Sequence, residues 1–244
     1  MTIRWIVFDV VGTLLAPSPS VGAIYHEIGR RFGSRYSPAE LETRFHAAFK
    51  GSDFAKSLPV EAWSDPAQYQ TDEVSERRIW SNIVGAVLDD VRDQEACFSE
   101  IFDRFSKAES WRLLPGVERG IQTVKDAGYR LAVASNFDAR LHHIMDGIPA
   151  LRLIEQRVIS SEVGYHKPSL HFFRQAEKLL GAQPLHIIMV GDSMVNDVQG
   201  ARNADWRAVQ VTYKSKVTPN IDDLPADEPV RSFDDIEHWM KDLV

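Results

Sequence analysis

Two acidic residues stand just past short apolar segments of this sequence, where a strand would end. Asp9 follows residues 3–8, and Asp192 lies just past residues 186–190, with Asp197 five residues further on. Carboxylate oxygens are hard ligands of the kind that Mg²⁺ prefers in proteins. If the fold brings these side chains together, they form a site for a divalent cation.

Neutral hydrogen-bonding groups and one lysine accompany these carboxylates. Ser135 and Asn136 end a third apolar segment, and Lys167 precedes a predicted helix. Each signal alone is weak, because Ser-Asn is a frequent turn dipeptide and most lysines are solvated. Together with the two strand-end carboxylates, however, these residues lie at the ends of predicted strands or just before a predicted helix, which indicates that they face one common crevice. His166, beside the lysine, is expected on the surface.

Apolar segments alternate with helical patterns through most of the chain. The predicted strands span residues 3–8, 129–134, 155–159, 186–190 and 208–211, and the predicted helices between them span residues 117–127, 138–145, 168–181 and 195–203. Such alternation indicates a parallel sheet with helices on both faces. Ligands bind at the carboxyl ends of the strands in these sheets, which is where Asp9, Ser135 and Asp192 lie.

A long section without strand patterns, residues 21–108, interrupts this alternation. Its apolar residues recur at helical spacing, and Ser37 followed by Pro38 is typical of a helix start. We expect a helical insert, and a final helix over residues 233–243. The predicted division is a core domain of residues 1–16 and 111–244 and a cap domain of residues 17–110.

Composition excludes several classes of partner. The chain has 244 residues and a formal net charge of −7, so it has no general attraction to nucleic acid or anionic membranes. Cys97 is the only cysteine, which rules out an internal disulfide and a thiolate zinc cluster. The apolar segments are shorter than the roughly 18 residues of a membrane helix. The N-terminal segment does not have the residue pattern of a signal peptide. We expect a cytoplasmic protein with no nucleic-acid or membrane partner.

Three stretches carry a resemblance to a known family. They read AGYRLAVASNFDARL, GYHKPSLHFF and VGDSMVNDVQGAR, and they contain Ser135, Lys167 and Asp192. Together with Asp9 they make the chain resemble the haloacid dehalogenase superfamily over nearly its whole length. The resemblance implies an α/β fold, with a doubly wound parallel-sheet (Rossmann-like) core and an inserted all-helical cap domain.

The resemblance also implies a magnesium-dependent phosphoric monoester hydrolase. Asp9 would attack phosphorus and form an aspartyl-phosphate. Mg²⁺ would be held by Asp9, by Asp192 and by the main-chain carbonyl of Val11. Asp197 would bind the metal or its waters, although it could merely support the start of a helix. The substrate would be a small phosphorylated, or otherwise anionic, metabolite.

The remaining motif residues would bind the substrate or support the nucleophile. By the same resemblance, Ser135 and Asn136 would hold a phosphoryl oxygen, and Lys167 would balance its developing charge. Gly12 would let the backbone approach the ligand, and Thr13 would donate a hydrogen bond to the nucleophile. A purely structural role remains an alternative for two of these residues: Thr13 as a turn hydroxyl, and Lys167 as a surface lysine.

Position 11 departs from the family's pattern. Phosphatases of the superfamily usually carry a second Asp two residues after the nucleophile, where it acts as general acid and base. Val11 can do neither. That help is worth about 10²- to 10⁴-fold in rate, and its loss is worst for alkyl phosphates, whose leaving alkoxides are strongly basic. An acid could be borrowed from the cap, such as Asp53 or His26.

Other chemistries of the superfamily also lack that Asp. A 2-haloacid dehalogenase expels a halide without needing a proton, but such enzymes work without metal and do not keep the Gly-Asp found here at 191–192. A phosphonatase would need a cap lysine, for which Lys50 and Lys56 are the candidates. A third alternative is a phosphate-binding protein with reduced or no catalysis.

Overall fold

A five-stranded parallel sheet forms the centre of the structure, a computed structural model that describes residues 2–52, 58–213 and 236. The strands in chain order are β1 (Trp5–Phe8), β2 (Leu15–Pro17), β3 (Trp111–Leu113), β4 (Arg130–Ser135), β5 (Gln156–Ile159), β6 (Ile187–Gly191) and β7 (Arg207–Gln210). The central sheet has the order β5-β4-β1-β6-β7. Strand β1 lies in the middle because all four of its residues are apolar and buried, as a strand covered on both faces requires.

Helices cover both faces of this sheet. The helices are α1 (Val21–Arg31), α2 (Pro38–Lys50), α3 (Glu73–Val87), α4 (Gln94–Arg104), α5 (Val117–Asp126), α6 (Arg140–Gly147), α7 (Ser160–Val163), α8 (Leu170–Leu180) and α9 (Gly200–Asn203). Ile6 and Phe8 pack in one apolar cluster with residues of α5 and α6, while Trp5 and Val7 pack in another with residues of α8 and α9. This alternation follows from the two-residue period of a strand, and it confirms the predicted doubly wound α/β architecture.

Helices α1 to α4 lie between two short strands that pair with each other. Strands β2 and β3 are antiparallel, with Leu15 opposite Leu113. Sequence patterns missed both, because three residues are too few to show an alternation. The helices of this insert, residues 18–110, share an apolar cluster of their own. The boundaries proposed for a core domain and a cap domain stay a prediction.

Local signals placed several helix ends correctly, while the starts predicted at residues 138 and 168 lie two residues later, at Arg140 and Leu170. Ser37 caps α2 and forms a capping box with Glu40, and Gly181 ends α8 in the left-handed conformation. The predicted helix over 195–203 is instead a π-helical turn, Met194–Gln199, followed by α9. Apart from residue 236, the predicted final helix over 233–243 lies outside the described residues.

Two further expectations concern membranes and the single thiol. Within the described ranges, the helices are too short or too polar to cross a bilayer. Cys97 is buried in the insert, and burial raises the pKa of its thiol to about 11. At neutral pH this thiol is protonated, as is typical of a buried cysteine that packs as a small apolar residue.

Candidate active site

Adjacent parallel strands bring the two principal carboxylates together. Strand β1 pairs with β6 in a register that sets Phe8 opposite Val190, so Asp9 and Asp192 emerge at the same edge of the sheet. Asp197 joins them from the π-helical turn. Each of the three carboxylates offers an oxygen within 4.8 Å of the others. The convergence expected from the sequence is therefore present.

Two glycines leave room for this crowding. Gly12 has a φ of +96°, and a Cβ built there would lie 2.5 Å from Asp192 Oδ2. A Cβ at Gly191 would lie 2.2 Å from Asp197 Oδ2. Atoms do not approach so closely without displacement, so the carboxylates hold these positions because both residues lack side chains.

Lys167 lies within the cluster and is only 2% exposed. Its Nζ donates to Asp9 Oδ1 at 2.9 Å, to Asp197 Oδ1 at 2.6 Å and to the carbonyl oxygen of Ala134 at 2.7 Å. Burial alone would lower the pKa of this lysine, but the charges of Asp197 and Asp9 outweigh burial and raise it. The ammonium therefore stays charged, and a solvated surface lysine is excluded.

Negative charge is in excess around this lysine. Burial raises the pKa of Asp197 to about 7; Lys167 opposes the rise, and the charges of Asp9 and Asp192 add to it. Within the described residues, the single charge of Lys167 pairs with two of the three carboxylates, and Asp197 Oδ2 accepts one further hydrogen bond, from the Ser193 N–H at 2.9 Å. The donor set is made of hard oxygens, so it fits a divalent cation such as Mg²⁺.

Thr13 contacts the carboxylate of the nucleophile candidate through its hydroxyl. Its side chain is fully buried, and Oγ1 lies 3.1 Å from Asp9 Oδ2 and 3.4 Å from Asp192 Oδ1. A hydroxyl has one proton, so it donates to one carboxylate at a time. The Tyr213 hydroxyl donates to the Thr13 carbonyl at 2.6 Å. The expected contact between Thr13 and Asp9 is present.

The Ser-Asn pair follows the strand next to β1, as expected. Ser135 ends β4 and is buried, one residue after the carbonyl that binds the lysine. The Asn136 amide binds the backbone of Lys167: Oδ1 accepts from its N–H at 2.7 Å, and Nδ2 donates to its carbonyl at 3.0 Å. Asn136 therefore holds the backbone of the loop between α7 and α8 that contains Lys167. Its contact with a phosphoryl oxygen stays a prediction.

Position 11 contributes no acid to the site. The Val11 side chain is 39% exposed and apolar. Of the groups considered as substitutes, His26 Nδ1 lies 2.8 Å from the carbonyl oxygen of Tyr36, so this ring nitrogen is engaged within the insert. Asp53 and Lys56 lie outside the described residues, and Lys50 is exposed at the end of α2.

Sequence reasoning missed a buried polar contact beside the lysine. His166 is buried rather than on the surface, because Nε2 of its ring lies 2.5 Å from Oε1 of Glu76 in the insert. A signal was available in the spacing of α3. Glu76 precedes Ile79 and Ile83 by three and seven residues, which puts a charged residue on the buried face of that helix.

The residues that build the acidic cluster fall within the match to a known protein family. A model of the family described as haloacid dehalogenase-like hydrolase matches residues 3–205. The chain belongs to this family. The resemblance read from the sequence motifs is thereby confirmed.

Relatives of this haloacid dehalogenase-like hydrolase match most of its length. "Haloacid dehalogenase-like hydrolase domain-containing protein 3" of Xenopus laevis is 30% identical over 207 residues, which cover 83% of this chain and 81% of that protein. The Homo sapiens protein of the same name is 27% identical over 228 residues, 91% of this chain and 87% of that one. Among solved structures, the magnesium-bound HAD-hydrolase YfnB from Bacillus subtilis has a TM-score of 0.71 at 15% identity, covering 100% of this chain and 99% of that chain. At that identity the likeness shows the fold alone.

The crowding at Gly12 gives a test of the candidate metal site in this haloacid dehalogenase-like hydrolase. We predict that Gly12→Ala weakens Mg²⁺ binding by at least about tenfold, or about 1.4 kcal/mol, because the added Cβ displaces the Asp192 carboxylate. Isothermal titration calorimetry with Mg²⁺ measures the change.

Gly128→Ala is the matched control for backbone strain. Gly128 has a φ of +88°, but a Cβ there meets nothing within 4 Å. Both variants therefore carry similar strain, and the control keeps wild-type Mg²⁺ affinity. Equal affinities in Gly12→Ala and the wild type would show that Asp192 does not hold the cation.

Proposed function

We propose that this protein is a magnesium-dependent phosphoric monoester hydrolase that works through an aspartyl-phosphate on Asp9. One observation carries the proposal. At the edge of the sheet, the Asp9 carboxylate accepts a hydrogen bond from the buried Lys167 ammonium and lies within 4.8 Å of two further carboxylates, those of Asp192 and Asp197. Such a site binds a cation and an anion side by side, which is what attack by a carboxylate on a phosphate requires.

The metal ligands would be Asp9, Asp192 and the main-chain carbonyl of Val11, with Asp197 on the metal or its waters. Bound Mg²⁺ would offset the repulsion between a carboxylate and a phosphate and would polarise the phosphoryl oxygens. The fit rests on the donor set, since all the proposed ligands are hard oxygens.

Two displacements at phosphorus complete the proposed reaction. In the first, an Asp9 oxygen forms a bond to phosphorus as the bond from phosphorus to the ester oxygen breaks; that oxygen leaves with the electron pair and takes up a proton from solvent. In the second, the oxygen of a water molecule forms a bond to phosphorus as the bond from phosphorus to Asp9 breaks. The water gives a proton to solvent, phosphate leaves, and the carboxylate is regenerated. Lys167 would balance charge on the phosphoryl oxygens, and Ser135 would bind one of them. The hydrogen bond from Thr13 would orient the nucleophile.

The acidic cluster favours this reaction over halide displacement. A dehalogenase of the superfamily does not need a metal, so that reaction does not require three carboxylates within 4.8 Å of one another. A phosphate-binding protein without catalysis would use the same groups. A measurement of ester turnover distinguishes that alternative from a phosphatase. We propose a small phosphorylated metabolite as the substrate and the cytoplasm as the location.

The absence of an acid at position 11 shapes the expected specificity. General acid–base help contributes about 10²- to 10⁴-fold, or roughly 3 to 5 kcal/mol of barrier. Aryl phosphates and acyl phosphates have better leaving groups than alkyl phosphates, so they need a proton less. The substrate should therefore be a phosphate with a weakly basic leaving group.

A panel of esters tests the proposed function. With Mg²⁺, p-nitrophenyl phosphate should turn over at least about 100-fold faster than ethyl phosphate, because only the alkoxide needs the missing proton. EDTA should abolish turnover and added Mg²⁺ should restore it, while Asp9→Asn should remain at background. Equal rates on the two esters contradict our account of position 11. Halide release from 2-chloropropionate in EDTA would instead support a dehalogenase.

Restoring the acid tests the role of position 11 directly. Val11→Asp should raise kcat/KM on ethyl phosphate by about 10²-fold or more and change p-nitrophenyl phosphate hydrolysis much less. Val11→Ala is the control, because it removes the exposed apolar side chain without adding a carboxyl group. A Val11→Asp variant no faster on the alkyl ester than Val11→Ala would refute the assignment.

A further inference from the structure

The loop that carries Lys167 is held from two sides. It joins α7 to α8, and Tyr165 within it forms an isolated antiparallel β-bridge with Gln70 of the insert. On one side the Asn136 amide binds the backbone of the lysine. On the other side the insert contacts the loop, because the His166 N–H donates to the carbonyl of Tyr69 at 2.8 Å. The lysine therefore lies where the insert meets the sheet.

Glu76 of α3 lies at this contact between the insert and the sheet, and its carboxylate is fully buried. Its Oε1 lies 2.5 Å from His166 Nε2, 3.0 Å from Thr71 Oγ1 and 3.2 Å from Ser160 Oγ. The contact with His166 Nε2 is the shortest of the three, and it joins the insert directly to the residue before Lys167. Glu76 thus fixes the orientation of the ring that directly precedes Lys167.

Stability alone does not account for a charge at this position. The effective cost of burying a carboxylate is several kcal/mol, and an apolar residue of similar volume is often neutral or stabilising in its place. Glu76 shares the buried face of α3 with Ile79 and Ile83, where a leucine would continue the pattern. Its Oε2 also has no hydrogen-bond partner among the residues that the structure describes.

We propose that Glu76 is a positioning residue, which through His166 holds the Lys167 ammonium 2.9 Å from the Asp9 carboxylate. The proposal rests on the function proposed above. A misplacement of about 1 Å in a catalytic group can cost about 100-fold in rate. The packing of the insert against the sheet therefore determines where the Lys167 ammonium lies beside Asp9, although no residue of α3 belongs to the acidic cluster.

Two substitutions on the same helix separate positioning from general docking. Glu76→Gln keeps the size of the side chain and one acceptor oxygen but removes the charge. Glu73→Gln is the control: Glu73 also joins the insert to the core, since it accepts from the Ala139 N–H at 3.0 Å and from the Ser161 hydroxyl, but it does not contact His166. Its side chain is exposed.

The kinetic readout is the division between kcat and KM for p-nitrophenyl phosphate at saturating Mg²⁺. Glu76→Gln should lower kcat by about 10- to 100-fold, with KM within about twofold of the wild type. Glu73→Gln should keep both constants. If Glu76→Gln does not fold, His166→Gln and His166→Ala provide the same contrast, because only the glutamine offers a donor to Glu76 and should rescue activity.

A second readout does not depend on turnover. Proton–nitrogen NMR spectra selective for lysine ammonium groups should show the buried Lys167, assigned by its loss in Lys167→Met. The signal should shift or broaden in Glu76→Gln and stay in place in Glu73→Gln. A Lys167 signal at its wild-type position in Glu76→Gln, an unchanged kcat, or equal losses in both variants overturns the proposal. If the wild type hydrolyses no ester while the signal moves, positioning stands and the proposed function falls.

Discussion

Repulsion among carboxylates at one edge of the sheet is the constraint on which the rest of the site depends. Asp9, Asp192 and Asp197 lie close together, Lys167 pairs with Asp9 and Asp197, and burial raises the pKa of Asp197 to about 7. Such an arrangement persists only where the scaffold holds each group in place. The sheet supplies that rigidity, since β1 is buried on both faces and its neighbour β6 delivers the second carboxylate. A divalent cation would neutralise the remaining charge.

The same constraint explains local features that otherwise look unrelated. Glycine at positions 12 and 191 gives the carboxylates space that any Cβ would occupy. The π-helical turn lets Asp197 fold back onto the Ser193 N–H, and such turns occur frequently at functional sites. Lys167 uses all three ammonium hydrogens, on Asp9, Asp197 and a strand carbonyl. Three of the five strands of the sheet, β1, β4 and β6, therefore carry groups of this cluster or bind its lysine.

The sequence predicted those parts of the fold that depend on local pattern. Five apolar segments became the five strands of the central sheet, and the residues past their ends converged as the strand-end rule requires. Strands β2 and β3 were missed because three residues carry no period. The position of His166 was wrong for a different reason: its burial depends on Glu76, which lies 90 residues away and reaches it only through the tertiary fold. Local sequence does not encode such a contact, although the charge within the apolar face of α3 hints at it.

A crystal structure with Mg²⁺ and beryllofluoride, a mimic of the phosphoryl group, tests the central claim most directly. The account predicts one Mg²⁺ about 2.0–2.1 Å from oxygens of both Asp9 and Asp192, with beryllium bonded to the other Asp9 oxygen. It also predicts that the Lys167 ammonium contacts a fluorine. A metal bound away from these two carboxylates, or an unmodified Asp9 in crystals that contain both ions, would contradict it.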